Sequence, residues 1–323
     1  EAKKIEREER IDMSLKKNNE GEITSNGSDS SSVVYQSPFP ITGPEVQHGG
    51  RTYRLVTKKD FFTFREFADS LDGFEMQYNR QNEFISWNKK VAGEPMRIIK
   101  VFGVLPNVIP ATLYDMLQDA TFRALWDTHR IDAFRVVKLD ENNDIGYYAA
   151  KSPVPGVSNR DFVNQRAWIN SGNNEYAIFN TSVPHRDVPI DYLKVNKVSS
   201  DSVVRGISKI TGYLIRPWVD NKGALGSCIT YVTQCDPGGW IPAPLINYIS
   251  TKVAPSTLKT VAQAAAQFLE WLPKQENYVK DWPEAADPFD TPVKNETIAF
   301  AKKKWSANGH LDKRNSSDER LVQ

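Results

Sequence analysis

Six segments between residues 131 and 235 have the composition of β-strands, and they constrain the fold more than any other feature. Polar turn sequences such as ENND, SGNN and DNKG lie between them. The segments are IDAFRVVKL, DIGYYAAK, DFVNQRAWI, EYAIFNTSV, SVVRGISKITGYLIR and SCITYVTQC. Strands joined by short connections pair antiparallel, because a parallel pair needs a long crossover. The pattern therefore predicts an antiparallel sheet and not a doubly wound parallel one.

Helices and further strands are predicted on both sides of this block. Apolar residues three and four apart make residues 60–71 an amphipathic helix, and Pro110 opens a helix that is followed by the helical turn TFRALWD. The segments FEMQYN, EFISWNK and MRIIKVFGVL are strand candidates. Leu245 to Leu272 is expected to be one long helix across the sheet, kinked at Pro255. The predicted fold class is α+β.

The composition divides the chain into three parts. Residues 1–45 hold a charged run and then a Ser, Gly and Asn run, so we expect them to be disordered or loosely helical. Residues 46–275 are expected to form the folded domain. Residues 276–323 are predicted to be a charged tail that contains proline.

Several classes of protein are disfavoured by composition. Lysine and arginine number 41 against 40 aspartates and glutamates, so charge gives no reason to expect nucleic acid as a partner. No stretch is apolar and long enough to cross a bilayer as a helix. Cys228 and Cys235 lie on one predicted strand, roughly 23 Å apart, and cannot form a disulfide with each other.

Motifs for catalysis and for metal binding are missing from the sequence. It contains no HExxH, P-loop, GxSxG or GxGxxG pattern. The histidines are far apart and lack the spacing of metal ligands; they are His48, His129, His185 and His310. We therefore predict no enzyme activity, no catalytic residue, no cofactor and no metal.

One predicted strand carries a mixture of polar and apolar side chains on a single face: Phe162, Asn164, Arg166 and Trp168. Polar groups on a face that a helix covers are costly unless they are satisfied. The pattern is therefore consistent with a cavity that has a few polar anchors, and equally with a solvated outer face.

Four motifs in this order resemble the START (StAR-related lipid transfer) family over residues 53–273, and are most similar to its phosphatidylcholine-transfer subgroup. They are KVFGVL, ATLYDMLQDATFRALWD, YYAAKSPVPGVSNRDFV and DPGGWIPAPLINYI. The resemblance implies a helix-grip fold, in which a curved antiparallel sheet wraps a long C-terminal helix around an internal lipid tunnel. It also implies a phospholipid transfer protein that carries one phospholipid between membranes.

The resemblance implies which residues bind lipid. Arg123 and Asp127 would lie in the tunnel with the arginine facing the lipid phosphate, although a pair four apart on a helix is by itself more typical of a surface contact. Arg166 is a second inward candidate, without an evident carboxylate partner on the strand of residues 144–151. Thr211 completes this polar set.

The resemblance also suggests a headgroup preference. Positions that match a choline-binding cage hold Tyr148, Ala150, Phe162 and Lys209. A lysine is expected to repel choline and to favour anionic headgroups, and Leu117 stands where the family has a phosphate-binding tyrosine. We therefore expect a preference that is broad or shifted from choline.

A gate for the lipid is implied at two places. Gly238 and Gly239 form a hinge before the C-terminal helix, with Trp240 and Ile241 at its base. Trp240 suits either a membrane interface or a plug in the core. The second element is the loop 152–158, in which Pro153, Pro155 and Gly156 are the gate residues.

Partners and location follow from the same resemblance. The expected partners are a phospholipid and, transiently, a membrane surface, with no nucleic acid and a monomeric protein. The expected location is the cytosol, peripheral to membranes, with a secreted or vacuolar protein as the alternative after removal of a leader. A lipid sensor or adaptor without bulk transfer, and a sterol binder, are the alternative functions. The segment FAKKKW, residues 300–305, is either a dock for anionic membrane or a solvated helix end.

Overall fold

The computed structural model describes residues 39–80, 84–94, 96–172, 174–199, 203–219, 223–239, 248, 254–276, 278–280 and 282. All of them belong to one compact unit that comprises residues 35–323. Within these ranges no helix has the length and apolar character needed to cross a membrane. Of the segment 1–45, predicted to be disordered or loosely helical, residues 1–38 lie outside the described residues, and so do residues 283–323 of the predicted tail 276–323.

A large sheet dominates the unit. Its strands are β3 (Glu75–Arg80), β4 (Phe84–Lys89), β5 (Ile98–Pro106), β6 (Arg130–Lys138), β7 (Asn143–Ala150), β8 (Asn159–Asn170), β9 (Tyr176–Ser182), β10 (Val203–Arg205), β11 (Ile207–Val219) and β12 (Leu225–Asp236). They are ordered β3-β4-β5-β12-β11-β9-β8-β7-β6, all antiparallel, and β10 pairs with β8 in parallel. A separate hairpin, β1 (Glu45–His48) and β2 (Arg51–Arg54), precedes the sheet.

Five helices accompany the sheet in the described part of the chain: α1 (Lys58–Asp69), α2 (Pro110–Gln118), α3 (Ala120–Trp126), α4 (Tyr192–Val195) and α5 (Ala254–Trp271). Each of the first three has a recognisable start. Thr57 and Asp60 hydrogen-bond at the beginning of α1, Pro110 is the first residue of α2, and Asp119 accepts from the Phe122 amide at 2.7 Å to cap α3.

The two faces of the sheet are covered by different elements. On the face that we call inner, residues such as Tyr231 and Ile229 pack with α2, α3 and α5 in the largest hydrophobic core. On the outer face, Phe179 and its neighbours pack against α1, while the N-terminal hairpin and the region of α4 cover β7 and β8. Side chains along a strand alternate between the two faces. A residue that packs in one of these cores therefore shows on which face its neighbours along the strand lie.

The predicted α+β class, with an antiparallel sheet and a C-terminal helix, is confirmed. Of the predicted helix 245–272, Tyr248 and residues 254–271 are α-helical and Leu272 begins a 3-10 helix, Leu272–Lys274; residues 245–247 and 249–253 lie outside the described residues. The prediction of one strand over residues 202–216 is wrong, because Gly206 separates β10 from β11. A Cβ at Gly206 would lie 2.5 Å from the Phe162 ring, so the chain approaches β8 closely there.

Some elements were missed by the sequence patterns. The hairpin β1–β2 and the short helix α4 are too short to show a clear period. Phe39, which precedes the predicted domain start at residue 46, is 2% exposed and contacts Phe64 and Phe179 edge-on. Packing of the folded unit therefore includes residues on the N-terminal side of that predicted boundary.

Candidate lipid-binding site

Helix α3 and strand β7 together hold an arginine-carboxylate pair on the inner face. Arg123 Nε lies 3.1 Å from Asp127 Oδ2, at the C-terminal end of α3. The hydroxyl of Tyr148, on β7, donates to the same oxygen at 2.9 Å. The spacing of Arg123 and Asp127 is typical of a surface contact, but here the pair is part of an interaction that joins α3 to β7.

Aromatic rings surround the Arg123 guanidinium. Its Cζ lies 5.5 Å from the centre of the Trp126 ring and 5.3 Å from the centre of the Tyr148 ring, within the range of cation-π attraction. On the neighbouring strands Tyr213 stacks on Tyr231, with ring centres 5.0 Å apart. The Arg123 guanidinium thus lies near four aromatic side chains, those of Trp126, Tyr148, Tyr213 and Tyr231.

The depth of these groups shows in their pKa values. Desolvation lowers the pKa of Arg123, but the neighbouring Tyr148, Asp127 and Tyr213 outweigh it, so the pKa lies above its ordinary value and the guanidinium stays charged. Burial is also the largest cause that raises the pKa of Tyr148, of Tyr213 and of Tyr231. Tyr231 is buried, and Arg123, Tyr148 and Tyr213 are half-buried.

Arg123 nevertheless keeps 34% of its side-chain surface accessible. The guanidinium is thus desolvated by the surrounding protein while part of its side chain stays accessible to a ligand.

Two buried indole groups on this side have no hydrogen-bond partner for Nε1 among the described residues. They belong to Trp126, three residues after Arg123, and to Trp168 on β8. A buried donor without a partner is costly, and a ligand oxygen can satisfy it. Trp126, Tyr213 and Tyr231 were not predicted as site residues from the sequence. The i,i+3 spacing from Arg123 was the available signal for Trp126.

The expectation that Arg166 has no carboxylate partner is wrong. Its Nε lies 2.6 Å from Asp144 Oδ1 and its Nη2 lies 2.5 Å from Asp144 Oδ2, while Arg135 contacts the same carboxylate at 2.8 Å. Asp144 is the first residue of the segment DIGYYAAK, and it stands directly opposite Arg166 in the β7–β8 register. Its side chain is fully buried, so the two arginines share one inward carboxylate.

The mixed face of β8 is the inner face. Phe162 stands opposite Tyr148, and Asn164 and Arg166 follow on the same side. Asn164 accepts from the Ser182 hydroxyl at 2.7 Å. The polar side chains of this strand are therefore engaged with neighbouring strands on the side that α5 covers.

Lys209 is paired with a carboxylate from a distant loop. Its Nζ lies 2.5 Å from Glu94 Oε2, and its side chain is 15% exposed. The repulsion of choline expected from this lysine is reduced, because Glu94 neutralises much of its charge. Thr211 lies beside it on β11 and hydrogen-bonds within 3.0 Å to Ser208 and Thr233. Ala150, at the end of β7, is half-buried.

The two predicted gate elements meet at one arginine. Gly238 and Gly239 both have positive φ, +63° and +66°, and Arg160 donates from Nε to the Pro237 carbonyl at 2.5 Å and from Nη2 to the Gly238 carbonyl at 3.2 Å. Arg160 lies two residues after the loop 152–158 and also donates from Nη1 to the carbonyl of Ser158, the last residue of that loop.

Within that loop Pro153, Pro155 and Gly156 are exposed, and Gly156 has φ +78°. Such a backbone conformation favours glycine. Trp240 and Ile241 lie outside the described residues.

An open groove of about 200 Å³ lies between α5 and the strands β4 and β5. Its lining is mostly apolar: Phe84, Gly103, Val104, Leu105, Leu258, Lys259 and Ala262. This volume is below the roughly 300–1,000 Å³ of ordinary ligand pockets. Among the residues that the structure describes, no group of three or more His, Cys, Asp or Glu side chains is placed to hold a metal ion.

Known proteins resemble this chain in sequence and in fold. The family model described as START domain matches residues 75–270, which are 196 of the 323 residues. START domain-containing protein 10 of Homo sapiens is 30% identical over 247 residues, 76% of this chain and 78% of that protein. Phosphatidylcholine transfer protein of Rattus norvegicus is 27% identical over 176 residues, 52% of this chain and 73% of that protein.

A solved structure supports the same assignment. The crystal structure of human STARD10 is 30% identical, covers 73% of this chain and 91% of its own, and superposes with a TM-score of 0.61. The antiparallel sheet, the C-terminal helix and the sequence motifs agree with this match. The chain therefore belongs to the START domain family of lipid-binding and lipid-transfer proteins.

Proposed function

We propose that this protein is a non-enzymatic carrier that takes a single phospholipid into the space on the inner face of the sheet and moves it between membranes. The observation that carries the proposal is Arg123: a charged, partly desolvated guanidinium on the inner side of the sheet, paired with Asp127 and still accessible over 34% of its side chain. A partly desolvated cation that stays accessible fits an anionic ligand group such as a phosphodiester.

The chemistry of the site supports a phosphate anchor. A guanidinium has five N–H donors, and the contact of Arg123 with Asp127 engages Nε, so further donors remain for phosphate oxygens. Asp127 and Tyr148 fix the position of the arginine before ligand arrives. Trp126 Nε1 offers one more donor on the same side.

The apolar part of a phospholipid explains why transfer needs an enclosed site. Two acyl chains of about 16 carbons each, at ~0.8 kcal/mol per CH₂, represent roughly 25 kcal/mol of apolar burial. Free lipid in water is therefore almost inaccessible, and exchange has to occur at a bilayer. The groove between α5 and the strands β4 and β5 is smaller than an ordinary ligand pocket, and Arg123 does not line it. Uptake of a whole phospholipid therefore requires the protein to open, for which the hinge at Gly238 and the loop 152–158 are the candidates.

We expect a headgroup preference that is broad or shifted from choline. Choline is bound by the faces of aromatic rings, and the guanidinium of Arg123 already lies over the Tyr148 ring. Phe162 lies across the strand pair from Tyr148. Lys209 and Glu94, as an ion pair, offer both a cation and an anion to a polar headgroup.

The proposal is tested by loading. The purified chain is incubated with liposomes of mixed phospholipids and re-isolated, and its bound lipid is identified by mass spectrometry. Transfer between vesicles is measured in parallel, without any partner protein. We expect one phospholipid per chain, a loss of most of it in Arg123→Ala, and transfer by the unmodified protein.

Arg97→Ala is the matched control, because Arg97 has the same 34% side-chain exposure but contacts Glu75 and Asn88 outside the site. It should load as the unmodified protein does. Absence of phospholipid, or a bound sterol, would contradict the proposal. Loading without transfer would favour a lipid sensor.

A further inference from the structure

Three exposed apolar side chains lie within nine residues of one another, in the connection between β9 and β10. Ile190 is 68% exposed, Val195 60% and Val198 48%, and all three are among the large hydrophobic residues with highest exposure in the described chain. Single exposed apolar residues are ordinary, but three on one short segment make that segment a candidate interaction site.

The backbone of this segment is well fixed. Leu193, which is 2% exposed, anchors α4 in the core beside Val188. After α4 the Val198 amide donates to the Leu193 carbonyl at 2.9 Å, and the Lys197 amide donates to the Lys194 carbonyl at 3.1 Å. This is a Schellman ending with Lys197 at φ +55°, so the exposed side chains are held outward by an ordered turn.

The segment lies at the same end of the sheet as the predicted gate. β9 and β12 end there, at Ser182 and Asp236, and β8 and β11 begin there, because each pair is antiparallel. Arg205 links the parts: it contacts the Asp161 carboxylate at 2.8 Å and donates to the Pro189 carbonyl at 3.0 Å.

The hinge is also close. An added Cβ at Gly238 would lie 2.6 Å from the Arg205 carbonyl oxygen. Arg205 therefore contacts Pro189, the residue before Ile190, and also lies next to the hinge residue Gly238.

Within the segments 189–198 and 151–160, basic residues outnumber acidic ones. Lys194 and Lys197 are exposed next to the valines, and the acidic residue of the segment 189–198 is Asp191. The gate loop adds exposed Lys151, and the sequence from 151 to 160 contains no acidic residue. Exposed apolar side chains with lysines beside them are suited to bind an anionic bilayer. The apolar side chains insert among the acyl chains, and the lysine ammonium groups contact lipid phosphates.

We propose that residues 189–198 form a membrane-contact surface, which binds an anionic bilayer and thereby presents the neighbouring gate to it. This inference rests on the proposed function, since a lipid carrier has to dock on the membrane from which it extracts. The partner is the bilayer itself. A surface that binds a bilayer for lipid extraction has to lie near the gate, whereas a surface for a protein partner could lie anywhere on the molecule.

The test measures vesicle binding by flotation and transfer between vesicles, with the full chain. A double variant, Ile190→Ser with Val195→Ser, removes the apolar tips, and Lys194→Gln with Lys197→Gln removes the charges. We expect the first to weaken vesicle binding roughly ten-fold at any lipid composition. The second should weaken binding about five-fold per lysine on vesicles that contain phosphatidylserine, and little on phosphatidylcholine alone.

Leu225→Ser is the matched control, because Leu225 is 47% exposed but begins β12 at the opposite end of the sheet. It should bind vesicles as the unmodified protein does. Every variant is also loaded from phospholipid in detergent micelles, which bypasses the bilayer, and its loading there should be unchanged.

The outcomes separate the two proposals. Vesicle binding of the double variants equal to that of Leu225→Ser overturns the membrane-contact surface and leaves the carrier function standing; it would point to a protein partner or a second copy of the chain instead. Loss of micellar loading in the double variants also overturns it, because the residues would then act through the lipid site. Failure of the unmodified protein to take phospholipid even from micelles overturns the carrier function.

Discussion

Tyr148 donates its hydroxyl hydrogen bond to Asp127 at 2.9 Å, and this bond connects strand β7 to the end of helix α3. The carboxylate in turn contacts Arg123. The position of the candidate phosphate anchor therefore depends on a residue of the sheet as well as on its own helix.

Tyr148→Phe should weaken both the fold and the site. Loss of the hydrogen bond to Asp127 is expected to reduce the free energy of unfolding by about 1 kcal/mol, and a less restrained Arg123 should hold phospholipid less tightly. Urea denaturation and lipid retention measure the two effects. Tyr53→Phe is the control, since it loses a hydrogen bond of 3.0 Å to the Pro184 carbonyl on the outer face and should leave lipid retention unchanged.

Asp127→Asn should make stability depend more strongly on ligand. Without the carboxylate, Arg123 keeps its charge in a desolvated place, which we expect to cost about 2 kcal/mol. A bound phosphate would supply the missing negative charge, so added phospholipid should raise the melting temperature more in the variant than in the unmodified protein. An equal or smaller rise would contradict the placement of phosphate beside Arg123.

Gly146→Ala should disturb the second arginine on the inner face. An added Cβ would lie 2.7 Å from Arg166 Cζ and Nε, so the guanidinium would have to leave its position over β7, where it meets Asp144. We expect a loss of about 1–3 kcal/mol in the free energy of unfolding. In an Arg166→Ala background the same substitution should cost much less, and purely additive losses would refute this account.

Stability should fall in mild acid because of His185. Burial lowers the pKa of this imidazole below its ordinary value of 6.5, although Asp187 acts in the opposite direction and His48 and the nearby arginines, Arg51 and Arg186, reinforce the lowering. The folded state thus favours the neutral ring. Its contribution to stability is complete above the unfolded pKa and is lost as the pH falls below it.

Chemical denaturation at about pH 7.5 and about pH 5.5 measures this effect. In His185→Gln the difference in unfolding free energy between the two values should be smaller than in the unmodified protein. An unchanged difference would assign the acid sensitivity to other groups.

Residues beyond the predicted domain end at 275 should contribute to the fold. Trp282 is 6% exposed and its Nε1 donates to Asp115 at 3.0 Å, and the Tyr278 hydroxyl donates to Asp119 at 2.8 Å. We expect Trp282→Ala to lower the free energy of unfolding by about 3 kcal/mol. Val279→Ala, at a residue that is 82% exposed, should change it little, and equal effects of the two would contradict this prediction.

Local patterns in the sequence predicted most of the elements correctly. Alternation of apolar residues predicted the strands, and three- and four-residue spacing predicted α1, because each period follows from the geometry of a single element. The same patterns failed at α4, which is four residues long, and at the division between β10 and β11. There a close approach of Gly206 to the Phe162 ring, and not the local period, ends the strand.

Residues that are near one another in the chain are enough to predict the α+β class, to recognise the family motifs and to propose the pair Arg123 and Asp127. The partners of the other charged groups follow from tertiary packing. Asp144 meets Arg166 through strand register, and Glu94 meets Lys209 across 115 positions of sequence. Such pairs depend on how distant elements pack, which no local spacing records.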